Sequence, residues 1–309
     1  MTHPEDLSGR VAVITGAAAG LGRAEAIGLA RAGAVVVVND IAAALQESDV
    51  LDEIATAGSK GIAVAGDISE RSTADELLET ADGLGGLNIV VNNAGITRDR
   101  ILFNMSDEEW DQVIAVHLRG HFLLTRNAAT YWRSKAKQAG VGGENGTVFG
   151  RIINTSSEAG LSGPVGQPNY GAAKAGITAL TLSAARALGR FGVRANAIAP
   201  RARTAMTAGV FGDAPELPEG AVDPLSPEHV VNLVRFLASP AADGVNGQLF
   251  IVYGPTVTLV AAPTAEAQFS AESDTWDPAD LSETLQNYFA GRDPDRSFSA
   301  SMTLGDRRD

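Results

Sequence analysis

Three residues in one stretch of the chain have types and spacing suited to moving a proton. Tyr170 and Lys174 stand four positions apart, and Ser157 stands thirteen positions before the tyrosine. Residues four apart share one face of a helix, and a cation beside a phenol favours the phenolate. The ordinary phenol pKa of about 10 would then fall towards neutrality. This stretch predicts proton transfer at a substrate oxygen that Ser157 orients; the plain alternative is a chance Tyr–Lys pair on an exposed helix.

A glycine-rich turn precedes this stretch and could bind a cofactor. The apolar run 10–15 predicts a buried strand, and Gly16, Gly20 and Gly22 follow it before a predicted helix over 23–32. Glycines let the backbone approach a pyrophosphate, and a helix N-terminus attracts the anion. The spacing is G-x-x-x-G-x-G rather than G-x-G-x-x-G. We expect a dinucleotide here, against the alternative of a tight turn that binds nothing.

A carboxylate at the end of the second strand bears on which dinucleotide is bound. The run 34–39 predicts that strand, and Asp40 closes it. A carboxylate in this place accepts hydrogen bonds from an adenosine ribose and repels a 2′-phosphate. No Arg or Lys stands at 17–19 or directly after Val38. The pattern favours NAD over NADP, unless Asp40 merely ends the strand.

Strands and helices alternate along the rest of the chain. Further strands are predicted over 61–65, 88–91, 151–155, 193–198 and 248–253, and further helices over 44–57, 72–84, 106–138, 169–188 and 226–238. This alternation predicts an α/β fold, a Rossmann-type three-layer sandwich around a doubly wound parallel sheet of seven strands. Ligands bind beyond the carboxyl ends of such strands, where Ser157 stands. The loop 140–146 is interpreted as a surface insertion, and 208–224 as a flexible substrate loop.

Composition excludes several classes of function. The chain has no cysteine, and its four histidines lack ligand spacing, so no metal site is expected. A net charge of −13 argues against nucleic-acid binding. No apolar run approaches the roughly 20 residues needed to span a bilayer, and the N-terminus lacks an apolar signal core. We therefore expect a cytoplasmic protein with no membrane partner.

The domain boundary is expected near residue 260. Residues 1–260 predict one NAD-binding domain, and 261–309 an acidic extension with ten acidic and four basic residues. Solubility is the plain interpretation of such a tail. A short helix is predicted over 277–289, with Leu281, Leu285, Tyr288 and Phe289 on one side. We expect this extension to pack on the domain or on a neighbouring subunit.

Four motifs in register resemble the short-chain dehydrogenase/reductase family. They are Thr15-Gly16-x-x-x-Gly20-x-Gly22, Asn92-Asn93-Ala94-Gly95, Ser157 and Tyr170-x-x-x-Lys174, within Gly9 to about Val260. Within the family, stretches 111–120, 166–170, 198–207 and 225–229 are similar to the (3R)-hydroxyacyl-CoA dehydrogenase part of peroxisomal multifunctional enzymes type 2. Single-domain actinobacterial enzymes, 3-oxoacyl-ACP reductase-like or 17-hydroxysteroid dehydrogenases, are similar as well.

The resemblance implies a role for each matching residue. Ser157, Tyr170 and Lys174 would do the chemistry. The cofactor site would comprise Gly16, Ala19, Gly20, Leu21, Gly22, Asp40, Asp67, Ile68, Asn93, Ala94, Gly95, Tyr170, Lys174, Pro200 and Thr204. The implied activity is NAD-linked oxidation of a secondary alcohol, an acyl-CoA or a steroid, by a homodimer or homotetramer. Two alternatives stay open: an NADPH-dependent 3-oxoacyl-ACP reductase, and a catalytically idle NAD-binding sensor or partner subunit.

Two residues or stretches depart from the family pattern. His117 stands where the family usually has an asparagine that holds a proton-relay water. It would either hold that water, as a further catalytic residue, or pack as a core histidine. The usual Pro-Gly after the sixth strand is Pro200-Arg201 here, and Arg203 follows closely. These cations would either meet acyl-CoA phosphates or pair with surface carboxylates, and the second interpretation is favoured.

Overall fold

Two compact units make up the chain, Met1–Leu259 and Val260–Asp309. The structure is a computed structural model that describes residues 5–139, 148–204, 218 and 222–292. All of the predicted loop 140–146 and most of the predicted substrate loop 208–224 lie outside the described residues. Within those residues, no helix is long and apolar enough to cross a membrane, and no cluster of His, Asp and Glu is arranged to hold a metal ion.

A sheet of eight strands forms the centre of the first unit, in the order β3-β2-β1-β4-β5-β6-β7-β8. The strands are β1 (Val11–Thr15), β2 (Val35–Asp40), β3 (Gly61–Ala65), β4 (Leu87–Asn92), β5 (Gly150–Thr155), β6 (Val193–Pro200), β7 (Leu249–Tyr253) and β8 (Thr256–Leu259). The first seven are parallel, and β8 pairs antiparallel with β7. The predicted doubly wound fold is confirmed, with one short edge strand more than expected.

Helices cover both faces of the sheet. They are α1 (Gly20–Arg31), α2 (Ala42–Gln46), α3 (Val50–Thr56), α4 (Arg71–Gly83), α5 (Asp107–Ile114), α6 (Gly120–Gln138), α7 (Ala159–Ser162), α8 (Pro168–Leu188) and α9 (Pro227–Ala238). One buried apolar core joins α1 and α9 to the sheet, and another joins α4, α6 and α8 to it. Central strands such as β1 are therefore buried along their whole length.

Two predicted helices are interrupted. The helix expected over 44–57 is two helices, α2 and α3, because Ser48 lies in the break and its hydroxyl donates a hydrogen bond to the carbonyl of Ala18. The long helix expected over 106–138 contains a π-helical turn, Ala115–Arg119, between α5 and α6. Such turns are frequent at functional sites, and this one contains His117. Ser106 and Glu109 form a capping box at the start of α5.

The second unit contains the predicted tail helix, α10 (Pro278–Ala290). The Asp277 side chain caps it by accepting a hydrogen bond from the amide of Ala279. The ring of Tyr288 meets that of Phe269 edge to face at 5.0 Å, and Phe289 remains half exposed. This helix thus has its own aromatic contacts within the unit.

Candidate active site

The glycine turn lies where the strand order reverses, between neighbouring β1 and β4. Gly16 and Gly20 have φ values of +65° and +57°, a left-handed region that favours glycine. A Cβ atom at Gly22 would lie 2.3 Å from the carbonyl oxygen of Gly16, so α1 begins against the turn only because glycine stands there. The turn therefore leaves bare backbone at a switch point, where such folds bind dinucleotides.

The end of β4 is tied to this turn by hydrogen bonds. The Thr15 hydroxyl oxygen accepts from the amides of Asn93 and Ala94, each at 3.0 Å. The Asn93 side-chain amide donates to the carbonyls of Thr15 and Gly16 at 3.1 and 3.3 Å. These bonds fix Asn93, Ala94 and the turn as one rigid wall.

Asp40 is held by backbone amides at the end of β2. Its Oδ2 accepts from the amide of Ala18 at 3.1 Å, and its Oδ1 accepts from the amide of Ile41 at 2.9 Å. Each carboxylate oxygen keeps a further lone pair for another donor. Beside it, the Asn39 amide donates to the carbonyls of Val64 and Gly66 and joins β2 to β3. The acidic side chain is thus fixed at the edge of the cavity.

Tyr170 and Lys174 occupy the first turns of α8, and their side chains converge. The Lys174 amine lies 5.3 Å from the centre of the Tyr170 ring and donates a hydrogen bond to the carbonyl of Thr155. Asn169 is buried; its amide donates to the carbonyls of Arg98 and Glu109, and its Oδ1 accepts from the Tyr170 amide. These contacts anchor the start of α8 and fix the tyrosine.

Ser157 follows β5 and faces the same tyrosine. Its Oγ accepts a hydrogen bond from the amide of Ala159 at 3.1 Å, so its own proton is available for another acceptor. Burial raises the pKa of Tyr170 above its ordinary value; a hydrogen bond with Ser157 opposes this shift, and the carboxylate of Asp99 adds to it. Burial lowers the pKa of Lys174 to about 7.

The acidity of the free tyrosine differs from our expectation. The sequence predicts a phenol with a lowered pKa beside a lysine, whereas the structure raises the pKa of Tyr170 above its ordinary value. The physical reason is desolvation, which disfavours the charged form of both groups. A phenolate at neutral pH therefore requires a further positive charge near Tyr170.

His117 lies in the π-helical turn and meets Tyr170 edge to face, with ring centroids 5.2 Å apart. Its Nε2 is 2.7 Å from the carbonyl oxygen of Ile96, and its Nδ1 has no hydrogen-bond partner among the described residues. Burial, followed by the charge of Lys174, lowers the pKa of His117 to about 3. The ring is therefore neutral at physiological pH, and one nitrogen is left for a water.

The two cations after β6 are paired with carboxylates. Arg201 binds Glu158 through two bonds of 2.7 and 2.9 Å, and Arg203 lies 3.1 Å from Asp223. The structure thus agrees with the pairing that we favoured over acyl-CoA phosphates. Glu158 and Asp223 are both half-buried, so these pairs are partly shielded from solvent.

One cavity of about 660 Å³ brings the predicted residues together. It is lined by Gly16, Ala19, Gly20, Leu21, Asp40, Asp67, Ile68, Asn93, Ala94, Gly95, His117, Ser157, Tyr170, Lys174, Pro200 and Thr204. Gly22 is the exception, because it packs beneath the turn. This lining fits a nicotinamide dinucleotide: it offers the bare backbone of the glycine turn, the fixed carboxylate of Asp40 and the apolar side chain of Ile68.

Several residues of the site were missed by reasoning from the sequence. Thr15 holds the residues after β4 against the glycine turn. Its position directly before Gly16 could have indicated this role. Gln112 and Val116 line the cavity from α5 and the π-helical turn. His121, one turn beyond His117, does not line the cavity; it is buried, and its Nε2 has no partner among the described residues. No local spacing signals these last three, because their placement depends on how the helix crosses the sheet.

Comparison with protein families and known proteins agrees with this arrangement. Residues 10–213 match the family model described as short chain dehydrogenase. The chain is 73% identical over 304 residues to hydroxyacyl-CoA dehydrogenase ChsB1 of Mycobacterium tuberculosis, which covers 97% of this chain and 95% of that protein. It is 39% identical over 261 residues to peroxisomal multifunctional enzyme type 2 of Mus musculus, which covers 82% of this chain but 32% of that longer enzyme.

Further relatives include an enzyme named for reduction and a solved structure. The 3-oxoacyl-[acyl-carrier-protein] reductase of Synechocystis is 39% identical over 258 residues, 81% of this chain and 98% of that protein. A crystal structure of a short chain dehydrogenase from Mycobacterium avium superposes with a TM-score of 0.78 at 42% identity, covering 93% of this chain and 97% of that one. The resemblance found in the sequence is confirmed, and the chain belongs to the short-chain dehydrogenase/reductase family of oxidoreductases that act on CH–OH groups.

Proposed function

We propose that this protein uses NAD to oxidise the hydroxyl group of a (3R)-hydroxyacyl-CoA to a ketone. One observation carries the proposal: Ser157, Tyr170 and Lys174 line the same cavity as the glycine turn and Asp40. The groups that move a proton and the groups that would hold a dinucleotide therefore face one space. Such a space lets a secondary alcohol be positioned for proton and hydride removal together.

Tyr170 acts as the general base for the alcohol proton. Ser157 donates its proton to the substrate oxygen, since its Oγ accepts from the Ala159 amide and its O–H remains a donor. This bond strengthens as negative charge develops on that oxygen. When bound, oxidised NAD supplies the hydride acceptor and a positive charge near the site. Tyr170 needs that charge, since burial, together with the carboxylate of Asp99, keeps its pKa high.

Lys174 and His117 take part in carrying the proton away after it leaves the alcohol. Lys174 has a pKa of about 7, so its amine exchanges protons in the range where an enzyme works. His117 stays neutral and has its Nδ1 without a partner among the described residues, which suits a bridging water. We propose that it replaces the usual asparagine as a water-holding group rather than as an acid.

NAD is proposed over NADP because of Asp40. The backbone amides of Ala18 and Ile41 hold this carboxylate in place, and a fixed negative charge repels a 2′-phosphate. Gly16 and Gly20 would receive the pyrophosphate, and Asp67 and Ile68 the adenine. Asn93, Ala94 and Gly95 would back the cofactor, and Pro200 and Thr204 would face the carboxamide.

The substrate class rests on the relatives. A protein named hydroxyacyl-CoA dehydrogenase is 73% identical over nearly the whole chain, and a multifunctional peroxisomal enzyme matches the same region. The test is NADH formation from (3R)- and (3S)-hydroxyacyl-CoA of short, medium and long chains, with 17-hydroxysteroids alongside. We expect turnover of the (3R) thioesters. Turnover of steroids alone would overturn the acyl-CoA assignment and leave the dehydrogenase assignment intact.

A reductase working with NADPH is the second candidate, supported by the 3-oxoacyl-[acyl-carrier-protein] reductase at 39% identity. Asp40 argues against it. Faster turnover of a 3-oxoacyl thioester with NADPH than of the alcohol with NAD would favour that candidate. Tight NADH binding without turnover of any alcohol would instead favour the idle binding module.

A further inference from the structure

A bidentate ion pair joins the loop after β5 to the loop after β6. Arg201 Nε and Nη2 donate to Glu158 Oε2 and Oε1 at 2.7 and 2.9 Å. Glu158 directly follows Ser157, and Arg201 directly follows Pro200, and both of these neighbours line the cavity. The pair therefore bridges two walls of the site. It does so with the planar fork geometry that only arginine offers a carboxylate.

Each partner is itself anchored. The Arg201 amide donates to the carbonyl of Val252 on β7 at 2.9 Å, and its guanidinium lies 5.3 Å from the centre of the Tyr253 ring. The Glu158 carbonyl accepts from the amides of Leu161 and Ser162 in α7. The ion pair thus connects the rigid end of the sheet to the short helix that follows the catalytic serine.

The turn from Ser157 to Ala159 transmits this restraint to the reacting groups. Ser157 Oγ accepts from the amide of Ala159, which lies on the far side of Glu158 in the same turn. A shift of the backbone at Glu158 would therefore displace the donor that orients the serine hydroxyl. A serine that stabilises a developing charge must be held to a fraction of an ångström, since small displacements cost up to about a hundredfold in rate.

We infer that the Glu158–Arg201 pair is a positioning device that holds Ser157 in its productive orientation. The inference rests on the proposed dehydrogenase function. The two residues are positioning residues and not catalytic ones, because neither lines the cavity. They act on the rate of the reaction through Ser157.

The test combines each change with the loss of the serine. Glu158→Ala and the isosteric Glu158→Gln are measured in the native chain and in the Ser157→Ala chain, with NADH fluorescence at high enzyme concentration. Glu158→Ala should lower kcat on the order of tenfold and change KM for NAD little. Glu158→Gln, which keeps one hydrogen bond, should lie between. In the Ser157→Ala chain, neither change should lower kcat further.

Arg201→Lys keeps the positive charge but loses the planar guanidinium fork, so it separates charge from geometry. It should lower kcat by most of the factor by which Glu158→Ala lowers it. Asp243→Asn is the matched control, since Asp243 pairs with Arg151 and Arg194 at the opposite ends of β5 and β6. It should leave kcat unchanged. Losses of equal size with and without Ser157, or a kcat that Glu158→Ala does not change, would overturn the inference. Failure of the native chain to oxidise any alcohol would instead contradict the proposed function.

Discussion

The amine of Lys174 lies 5.3 Å from the centre of the Tyr170 ring and is bound to the carbonyl of Thr155 at the end of β5. Both side chains are buried, and burial moves their pKa values in opposite directions. The pKa of the lysine falls to about 7 and that of the tyrosine rises. The two neutral forms are therefore favoured together, and the free protein holds its proton on the phenol.

The pH dependence of turnover should follow from this protonation state. Oxidation requires Tyr170 without its proton, so kcat/KM for the alcohol should rise with pH. Reduction of the ketone requires the protonated phenol, so its rate should fall as pH rises. His117, with a pKa of about 3, contributes nothing in this range. Profiles in both directions measure this; parallel profiles would contradict the assigned base.

Cofactor choice should depend on Asp40. We expect NAD to be preferred over NADP on the order of a hundredfold in kcat/KM, about 3 kcal/mol from one carboxylate–phosphate repulsion. Asp40→Asn should reduce that preference mainly by improving NADP, because the amide no longer repels a 2′-phosphate. Glu76→Gln, on the exposed face of α4, is a matched control. A native preference for NADP would show that Asp40 does not select the cofactor.

Stability should depend on pH through Glu25 in α1. Its side chain is fully buried with neither carboxylate oxygen hydrogen-bonded to a described residue, and burial raises its pKa to about 8 from an ordinary 4.5. Between these values the folded state holds a proton that the unfolded state has lost. The free energy of unfolding should therefore fall as pH rises from about 5 to 8, on the order of 3 kcal/mol.

Glu25→Gln should remove that slope, because an amide does not ionise. Urea unfolding at a series of pH values measures it, and Glu76→Gln should keep the native slope. An unchanged slope in Glu25→Gln would contradict the prediction, because the pH dependence would then not come from the Glu25 carboxyl group.

The acidic extension should affect assembly or substrate binding. Phe289 on α10 is half exposed, and we propose that this helix packs on the domain or on a neighbouring subunit of a dimer or tetramer. Deleting 265–309 should lower the oligomer mass in light scattering or raise KM for the acyl-CoA. No change in either quantity would refute the proposed packing.

The parts of the molecule that depend on local patterns were predictable from the sequence. The run before Gly16 predicted a buried strand, and the glycines after it predicted a turn, so the fold and the place of the cleft could be predicted. Tyr170 and Lys174 lie four apart in a helix, and helical geometry alone brings them to one face. The place of Asp40 was predictable in the same way, because it directly follows the second predicted strand.

The remaining features depend on contacts between distant parts of the chain. Glu158 and Arg201 are 43 residues apart, and they meet only because β5 and β6 are neighbours in the sheet. The break at Ser48 arises from its bond to the glycine turn. The pKa of Tyr170 was predicted in the wrong direction, because proximity to a cation is visible in a sequence and burial of a phenol is not.

The central claim is that Tyr170 takes the proton of the bound alcohol, and Tyr170→Phe tests it most directly. Loss of a general base typically costs about 10²- to 10⁴-fold in rate. The measurement is single-turnover oxidation of a (3R)-hydroxyacyl-CoA by native and Tyr170→Phe protein, with NADH affinity determined by fluorescence. We predict a rate lower by at least about a hundredfold with NADH still bound. A Tyr170→Phe protein that oxidises the alcohol at nearly the native rate would contradict the account.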